Sequence, residues 1–314
     1  MTSRTLCLIA LGLAPALASA QPRLTGPLPE PASDEAFTAV AEGFEDDAAV
    51  PANPRPALTC ARGRCLPSED RGSHIRETIV FDGPKGSPVP AYFARPPGDQ
   101  GPYPVVVLLH ALNGSRGDFW AEGTPLDSLR EALHASGFAV LALDAPYHGA
   151  RLYENDFNDP PHLVLSGQAD RLRDMSTRSV IEHRRALDYL ATRDDVDASR
   201  IGALGFSQGA MHAIYLSAVD PRVSAAVVWA TPMRKNDPPF YPGHFAQRAQ
   251  TEAVLMIAGT DDPFYSVAEA ETVFGLLPTD EKRLVLYDGG HQARLAEVPI
   301  AVDWLGEHLM HDRD

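Results

Sequence analysis

Six continuous apolar runs punctuate the chain: PVVVLLHAL (104–112), FAVLALDAP (138–146), RIGALGF (200–206), VSAAVVWAT (223–231), AVLMIAGT (253–260) and RLVLYDGG (283–290). They are rich in β-branched residues and Leu and show no polar alternation. Runs of this length and kind fit strands covered on both faces, as in a parallel sheet. Ahead of them, ETIVFDG and VPAYFARP flank Gly83-Pro84-Lys85-Gly86, a pattern that predicts a β-hairpin. Between the runs the apolar period becomes helical. TPLDSLREALHASG closes at Gly137, and TRSVIEHRRALDYLATR sets Val180, Ile181, Leu187 and Leu190 on one broad face. SVAEAETVFGLL and EVPIAVDWLGEHL follow. Strand–helix alternation predicts an open, doubly wound α/β sheet with helices on both faces. In such sheets a ligand sits at the carboxyl ends of the strands.

The pattern begins only near residue 76. Residues 1–20 read as a secretory signal peptide: an Arg, the apolar LCLIALGLAPAL, and Ala18-Ser19-Ala20 before Gln21. That run is too short for a stable transmembrane helix, and no other stretch nears the roughly 18 apolar residues of a span. The expectation is an exported protein, periplasmic or secreted after cleavage near Ala20. Residues 21–75 are rich in Pro, Ala and acidic groups and predict an arm with sparse regular structure; residues 76–314 form the folded domain. Within the arm lie Cys60 and Cys65, and an exported chain with two cysteines so close predicts a small disulfide loop. No second Cys or His pair has matching spacing for a metal site, and the pair His308 and His311 lacks further ligands. The chain has 314 residues and a formal charge of −15, with no Lys/Arg cluster set against it. That balance argues against a nucleic-acid groove and serves solubility. Nothing in the sequence bears on oligomeric state.

The candidate chemistry lies at a strand end. In RIGALGFSQGA, Ser207 stands between Gly205 and Gly209 where a buried run meets the helical MHAIYLSAV. The glycines permit a sharp strand-to-helix turn that lifts the serine hydroxyl to the top of the sheet, with a helix N-terminus behind it. A serine hydroxyl needs a base to take its proton. His291, after the last apolar run and preceded by Gly289-Gly290, is the candidate. The histidine in turn needs an acid to hold its tautomer. Asp262 follows the 253–260 run in AGTDDPFYS and is chosen over its neighbour Asp261, and over Asp288, which lies too close to His291 in sequence.

At this point the chain resembles the α/β-hydrolase superfamily, in its dienelactone-hydrolase-like and esterase-like branch. The segments carrying the resemblance are LLHALNGS, DAPYHGAR, VDASRIGALGFSQG, GTDDPFYS and GGHQ followed by DWLGEHL, spanning about residues 76–310. The resemblance implies a mostly parallel sheet of about eight strands flanked by helices. It also implies a Ser–Asp–His triad with no cofactor and an oxyanion hole from the backbone N–H groups of Leu112 and Gln208. Two departures stand out. The family usually has His-Gly where this chain has His110-Ala111, and dienelactone hydrolases generally use cysteine where Ser207 stands, so a lactone substrate is not carried over.

Two inserts, 152–172 and 232–247, are candidates for shaping a pocket, with Phe157, Phe240, Tyr241 and Phe245 as possible lining. Tyr147-His148-Gly149 borders the entrance in the family; His148 either touches substrate or organises its loop, and His110 reads as structural. The reading is an exported serine hydrolase acting on a small-molecule carboxylic ester through an acyl-enzyme. A peptidase or amidase of the same fold, and a non-catalytic binding protein built on it, are the alternatives.

Overall fold

A computed structural model describes residues 27–30, 32–45, 53–57, 59–61, 64–66, 68–98 and 100–310. The expected signal peptide and its cleavage site lie outside the described residues. The main sheet has eight principal strands: β1 (Ile75–Asp82), β2 (Pro88–Arg95), β3 (Tyr103–Leu109), β4 (Ala139–Leu143), β5 (Val196–Phe206), β6 (Val223–Trp229), β7 (Ala253–Gly259) and β8 (Glu281–Tyr287). Their order across the sheet is β1-β2-β4-β3-β5-β6-β7-β8. The β1–β2 hairpin and the β2–β4 pair are antiparallel, and every pair from β4 to β8 is parallel. Short segments Arg55–Pro56 and Ser68–Asp70 add antiparallel pairing to β1.

The doubly wound α/β expectation therefore holds, with corrections in detail. Strands β3, β4, β6 and β7 stop before their apolar runs do. The last residues of those runs leave the ladder, because apolar side chains continue to bury in the loops above the sheet. The β6–β7 ladder, for example, ends on the bond from Ala230 N–H to the carbonyl of Ile257 (2.8 Å), one residue short of the end of the run. The final run was expected to be covered on both faces, but β8 is the edge strand, pairing only with β7, and Leu286 is 42% exposed.

The helices are α1 (Asp34–Ala41), α2 (Pro125–Ala135), α3 (Pro161–Leu165), α4 (Ala169–Ala191), α5 (Gln208–Val219), α6 (Pro242–Ala246), α7 (Val267–Leu276) and α8 (Val298–Leu309). Helix α4 begins well inside the first insert, ahead of the predicted TRSVIE segment, because no breaker stands between Gln168 and Ser176. Helix α7 starts on a capping box, with Ser266 and Glu269 satisfying each other's backbone N–H groups. Among the described residues no helix is long and apolar enough to cross a membrane.

The described part of the arm wraps the domain. Ser33 caps α1. Phe44, fully buried, packs its ring against Tyr215, Phe240 and Phe245 at centroid distances of 6.3, 6.0 and 5.7 Å. Arg184 donates to the Phe44 carbonyl (2.7 Å), and Ala32 N–H donates to His244 Nδ1 (2.8 Å). This cluster gives the aromatics of the second insert a packing role. Phe240, Tyr241 and Phe245 are buried in the main core, and Phe240 and Phe245 receive the Phe44 ring. The expected disulfide is also corrected: none is found among the described residues. Cys60 and Cys65 face each other in register on a two-stranded antiparallel ribbon, so backbone pairing closes the loop assigned to a bridge. Their side chains lie outside the described residues.

Candidate active site

Strand β5 delivers Ser207 to the carboxyl edge of the sheet. Its backbone stands at φ 57°, ψ −121°, a conformation costly for a residue with a Cβ, and its N–H is tied to the Trp229 carbonyl at 2.9 Å. The flanking glycines are required by contact. A Cβ on Gly205 would lie 2.1 Å from the Gly209 carbonyl oxygen, and one on Gly209 would lie 2.0 Å from that of Leu109. The start of α5 is thereby pressed against the end of β3 and the His110 carbonyl.

The loops after β7 and β8 supply two more groups. His291 Nε2 lies 2.7 Å from Ser207 Oγ, and its Nδ1 lies 2.7 Å from Asp262 Oδ2. The Asp262 side chain is fully shielded from solvent, and its other oxygen accepts from Phe264 N–H at 2.9 Å. Asp261 and Asp288 are exposed, and the Asp261 N–H is spent on the Gly289 carbonyl, which joins the two loops (2.9 Å). The imidazole is held between Phe206 (centroids 5.4 Å) and Phe264 (4.5 Å). These two walls were not singled out from the sequence, although each sits within two residues of a residue that was.

Gln208 is the first residue of α5, so its N–H has no intrahelical acceptor and points out of the helix start. Leu112 lies half-buried in the loop after β3. His110 Nδ1 lies 2.8 Å from the Ala111 carbonyl while its Nε2 accepts from Ala145 N–H (3.1 Å), and Gly114 N–H also donates to Ala111 (3.0 Å). These bonds hold the loop, with Ala111 at the position where the resemblance leads one to expect glycine. His148 is buried, 4.7 Å from the His110 ring, with Nδ1 2.7 Å from the Pro146 carbonyl and Nε2 2.8 Å from that of Leu112. Both of its ring nitrogens are thus occupied by loop carbonyls. Gly149 follows because a Cβ there would collide with the Asp144 carboxylate at 2.3 Å. Asp144 in turn pairs with Arg116.

Tyr147, at φ 71°, is turned into a second apolar cluster with Leu163 and Met175, against which Leu112 and Leu172 pack. Its hydroxyl donates to Asp174 (2.8 Å). Met175 Sδ lies 3.9 Å from Gln208 Nε2, so this cluster borders both oxyanion candidates. The sequence did not mark Leu163, Leu172 or Met175, since an apolar residue on a helix carries no sign of which face it serves. Phe157, by contrast, is 77% exposed. The first insert is anchored by the buried pair Arg151–Glu182 at 2.6 Å and by Glu154, which bridges Arg151 and Arg178. His308 rests on the Trp304 ring (4.3 Å), and His311 lies outside the described residues.

Buried imidazoles under the site set its acid limit. Burial pulls His110 and His183 down to about 4, His148 to about 3, and His212 well below its ordinary value. In the unfolded chain these groups take up protons near pH 6.5. From about pH 6.5 down to 4 the unfolded state therefore binds more protons, and stability falls as pH falls. Thermal unfolding followed by circular dichroism is expected to show Tm dropping steeply below about pH 6. A flat Tm down to pH 4.5 would contradict the neutral, buried state of these rings.

Comparison with known proteins places this geometry. A "Putative hydrolase YtaP" of Bacillus subtilis (strain 168) is 30% identical over 165 residues, covering 51% of this chain and 54% of the relative. The chain spans about half the length of the curated relatives it matches. Acetyl xylan esterase 1 from Thermoanaerobacterium sp. JW/SL YS485 superposes with a TM-score of 0.67 at 17% identity, covering 93% of this chain and 98% of that one. A cold-adapted esterase from an Arctic intertidal metagenomic library superposes with a TM-score of 0.64 at 22% identity, covering 77% and 97%. At these identities the two structures speak for the fold. A family model described as "Dienelactone hydrolase family" matches residues 89–288, from β2 through the end of β8, and on that match the chain belongs to the dienelactone hydrolase family.

Proposed function

We propose that this protein is a serine esterase that hydrolyses carboxylic esters of small acyl groups. The observation that carries the reading is the unbroken line Asp262–His291–Ser207, with both links at 2.7 Å, ending on a serine held at positive φ. In this mechanism Ser207 Oγ attacks the ester carbonyl as His291 Nε2 takes its proton. Asp262 holds Nδ1–H and stabilises the imidazolium. The backbone N–H groups of Gln208 and Leu112 receive the oxyanion. His291 then protonates the leaving alcohol, and the same nitrogen activates water to release the acid. No step calls on a cofactor. The word esterase in the names of several relatives supports ester over amide substrates, and the pattern of residues 1–20 supports an exported enzyme.

The small-acyl preference rests on the apolar cluster of Tyr147, Leu163 and Met175, against which Leu112 packs and whose Met175 reaches Gln208. Hydrolysis of p-nitrophenyl esters from acetyl to dodecanoyl tests it. The expected result is highest kcat/KM on the shortest chains. Met175→Ala is expected to move the optimum to longer chains, raising the octanoyl-to-acetyl ratio by about 10-fold, the usual worth of one or two methylenes in an apolar pocket. An unchanged ratio would place the acyl group elsewhere, and hydrolysis of anilides but not of esters would replace the ester reading.

A further inference from the structure

We propose that His148 is a positioning residue for the proposed reaction, holding the oxyanion loop in its active shape through an Nε2–H donated to the Leu112 carbonyl. The inference rests on the esterase reading and on Leu112 as an oxyanion donor. The Leu112 residue carries two peptide units. Its N–H belongs to the unit whose carbonyl is Ala111, which His110 and Gly114 already hold. Its own carbonyl belongs to the next unit, and His148 Nε2 stands 2.8 Å from it. Each peptide is planar, so fixing both carbonyls fixes both soft dihedrals of Leu112 and hence the direction of its N–H. His148 comes from the loop after β4, the strand next to β3, and so ties that loop to the one after β3.

The ring is in turn constrained. It is buried and packed on His110, and both nitrogens face carbonyl oxygens, at 2.7 Å for Pro146 and 2.8 Å for Leu112. Burial keeps the imidazole neutral, with its pKa pulled down to about 3. A neutral imidazole has one N–H, so only one of the two carbonyls is donated to at a time. Placing that proton on Nε2 gives the bond to the loop that carries the donor. The Pro146 carbonyl lies two residues before His148, in the same turn, where backbone geometry already fixes the approach.

Gln and Asn separate the two possibilities, because a Gln amide reaches the position of Nε2 and an Asn amide that of Nδ1. The variants His148→Gln, His148→Asn and His148→Leu are compared for kcat, KM, inhibition by a trifluoromethyl ketone, and pH–rate profile. Such a ketone forms an adduct on Ser207 whose oxyanion reads the hole directly. The expected result is that Gln stays within about 3-fold of wild type, while Asn and Leu lose about 10- to 100-fold in kcat, part of the 100- to 1,000-fold that one oxyanion donor supplies. KM and the pH profile of His291 stay put, and ketone affinity falls in parallel with kcat. Rescue by Asn rather than Gln, or loss of kcat with unchanged ketone affinity, overturns the proposal. If Leu does not fold, the Gln–Asn pair decides alone. Failure of the esterase reading looks different: wild type turns over no ester, a fluorophosphonate does not label Ser207, and the inference falls with that reading.

Discussion

Ser207→Ala is expected to lower kcat on a p-nitrophenyl ester by about three to four decades or more while leaving KM nearly unchanged. The hydroxyl is the only group on the line Asp262–His291–Ser207 able to form the acyl-enzyme, and removing it leaves His291 with no nucleophile to activate. The backbone donors and the apolar wall remain, so substrate binding persists, and the residual rate over water reports what the hole does alone. The same position carries a stability signature. At φ 57°, ψ −121°, alanine keeps the strain that serine bears, so Tm should hardly move. Ser207→Gly removes the Cβ and should raise stability by about 1–3 kcal/mol, the usual cost of such a conformation. Mass spectrometry after fluorophosphonate treatment completes the test: wild type should carry one adduct, on Ser207, and neither variant should. A Ser207→Ala protein with wild-type turnover would end the triad reading.

Asp262→Asn is expected to cost about as much, near four decades in kcat by analogy with other triads, for a reason that can be read from this geometry. Asp262 Oδ1 accepts from Phe264 N–H, so an asparagine must keep its oxygen there. Its NH2 then occupies the Oδ2 position, 2.7 Å from His291 Nδ1, and donates to it. That forces the imidazole proton onto Nε2, the atom that must accept from Ser207. The variant should bind substrate normally and recover partly at high pH, as hydroxide substitutes for the lost base. Asp261→Asn, on an exposed side chain, is the control and should leave kcat within 2-fold, the scale of an ordinary surface change (about 0.5 kcal/mol). If the two effects were exchanged, the acid of the site would be Asp261.

Much of this architecture is legible in the sequence because burial on both faces leaves a direct trace. Each unbroken apolar run became a strand, and Ser207, Asp262 and His291 could be sought at strand ends because that is where a doubly wound sheet opens. What was not legible follows from the same physics. An apolar run reports burial and is silent about the ladder, so it overran the ends of β3, β4, β6 and β7 and hid the exposed edge of β8. Aromatic residues in a Pro-rich insert signal that something is buried without naming the partner. Nothing local in that insert points to Phe44, about two hundred residues earlier, as the ring that Phe240 and Phe245 receive. Two cysteines five apart suggested a covalent loop, where an antiparallel ribbon meets the need with backbone bonds.

The docking of the arm has a kinetic consequence. Ala32 meets His244 and Arg248 across sequence separations of 212 and 216 residues, among the longest loops this chain can close. Closing such a loop costs entropy that is recovered only once both of its ends are ordered. The aromatic seat for Phe44 exists only after β5, α5 and α6 have assembled. The first helix among the described residues is therefore among the last to reach its place, and until it does Phe240 and Phe245 stay uncovered. During synthesis this leaves an interval in which nearly the whole domain is present but its core is still open on one side.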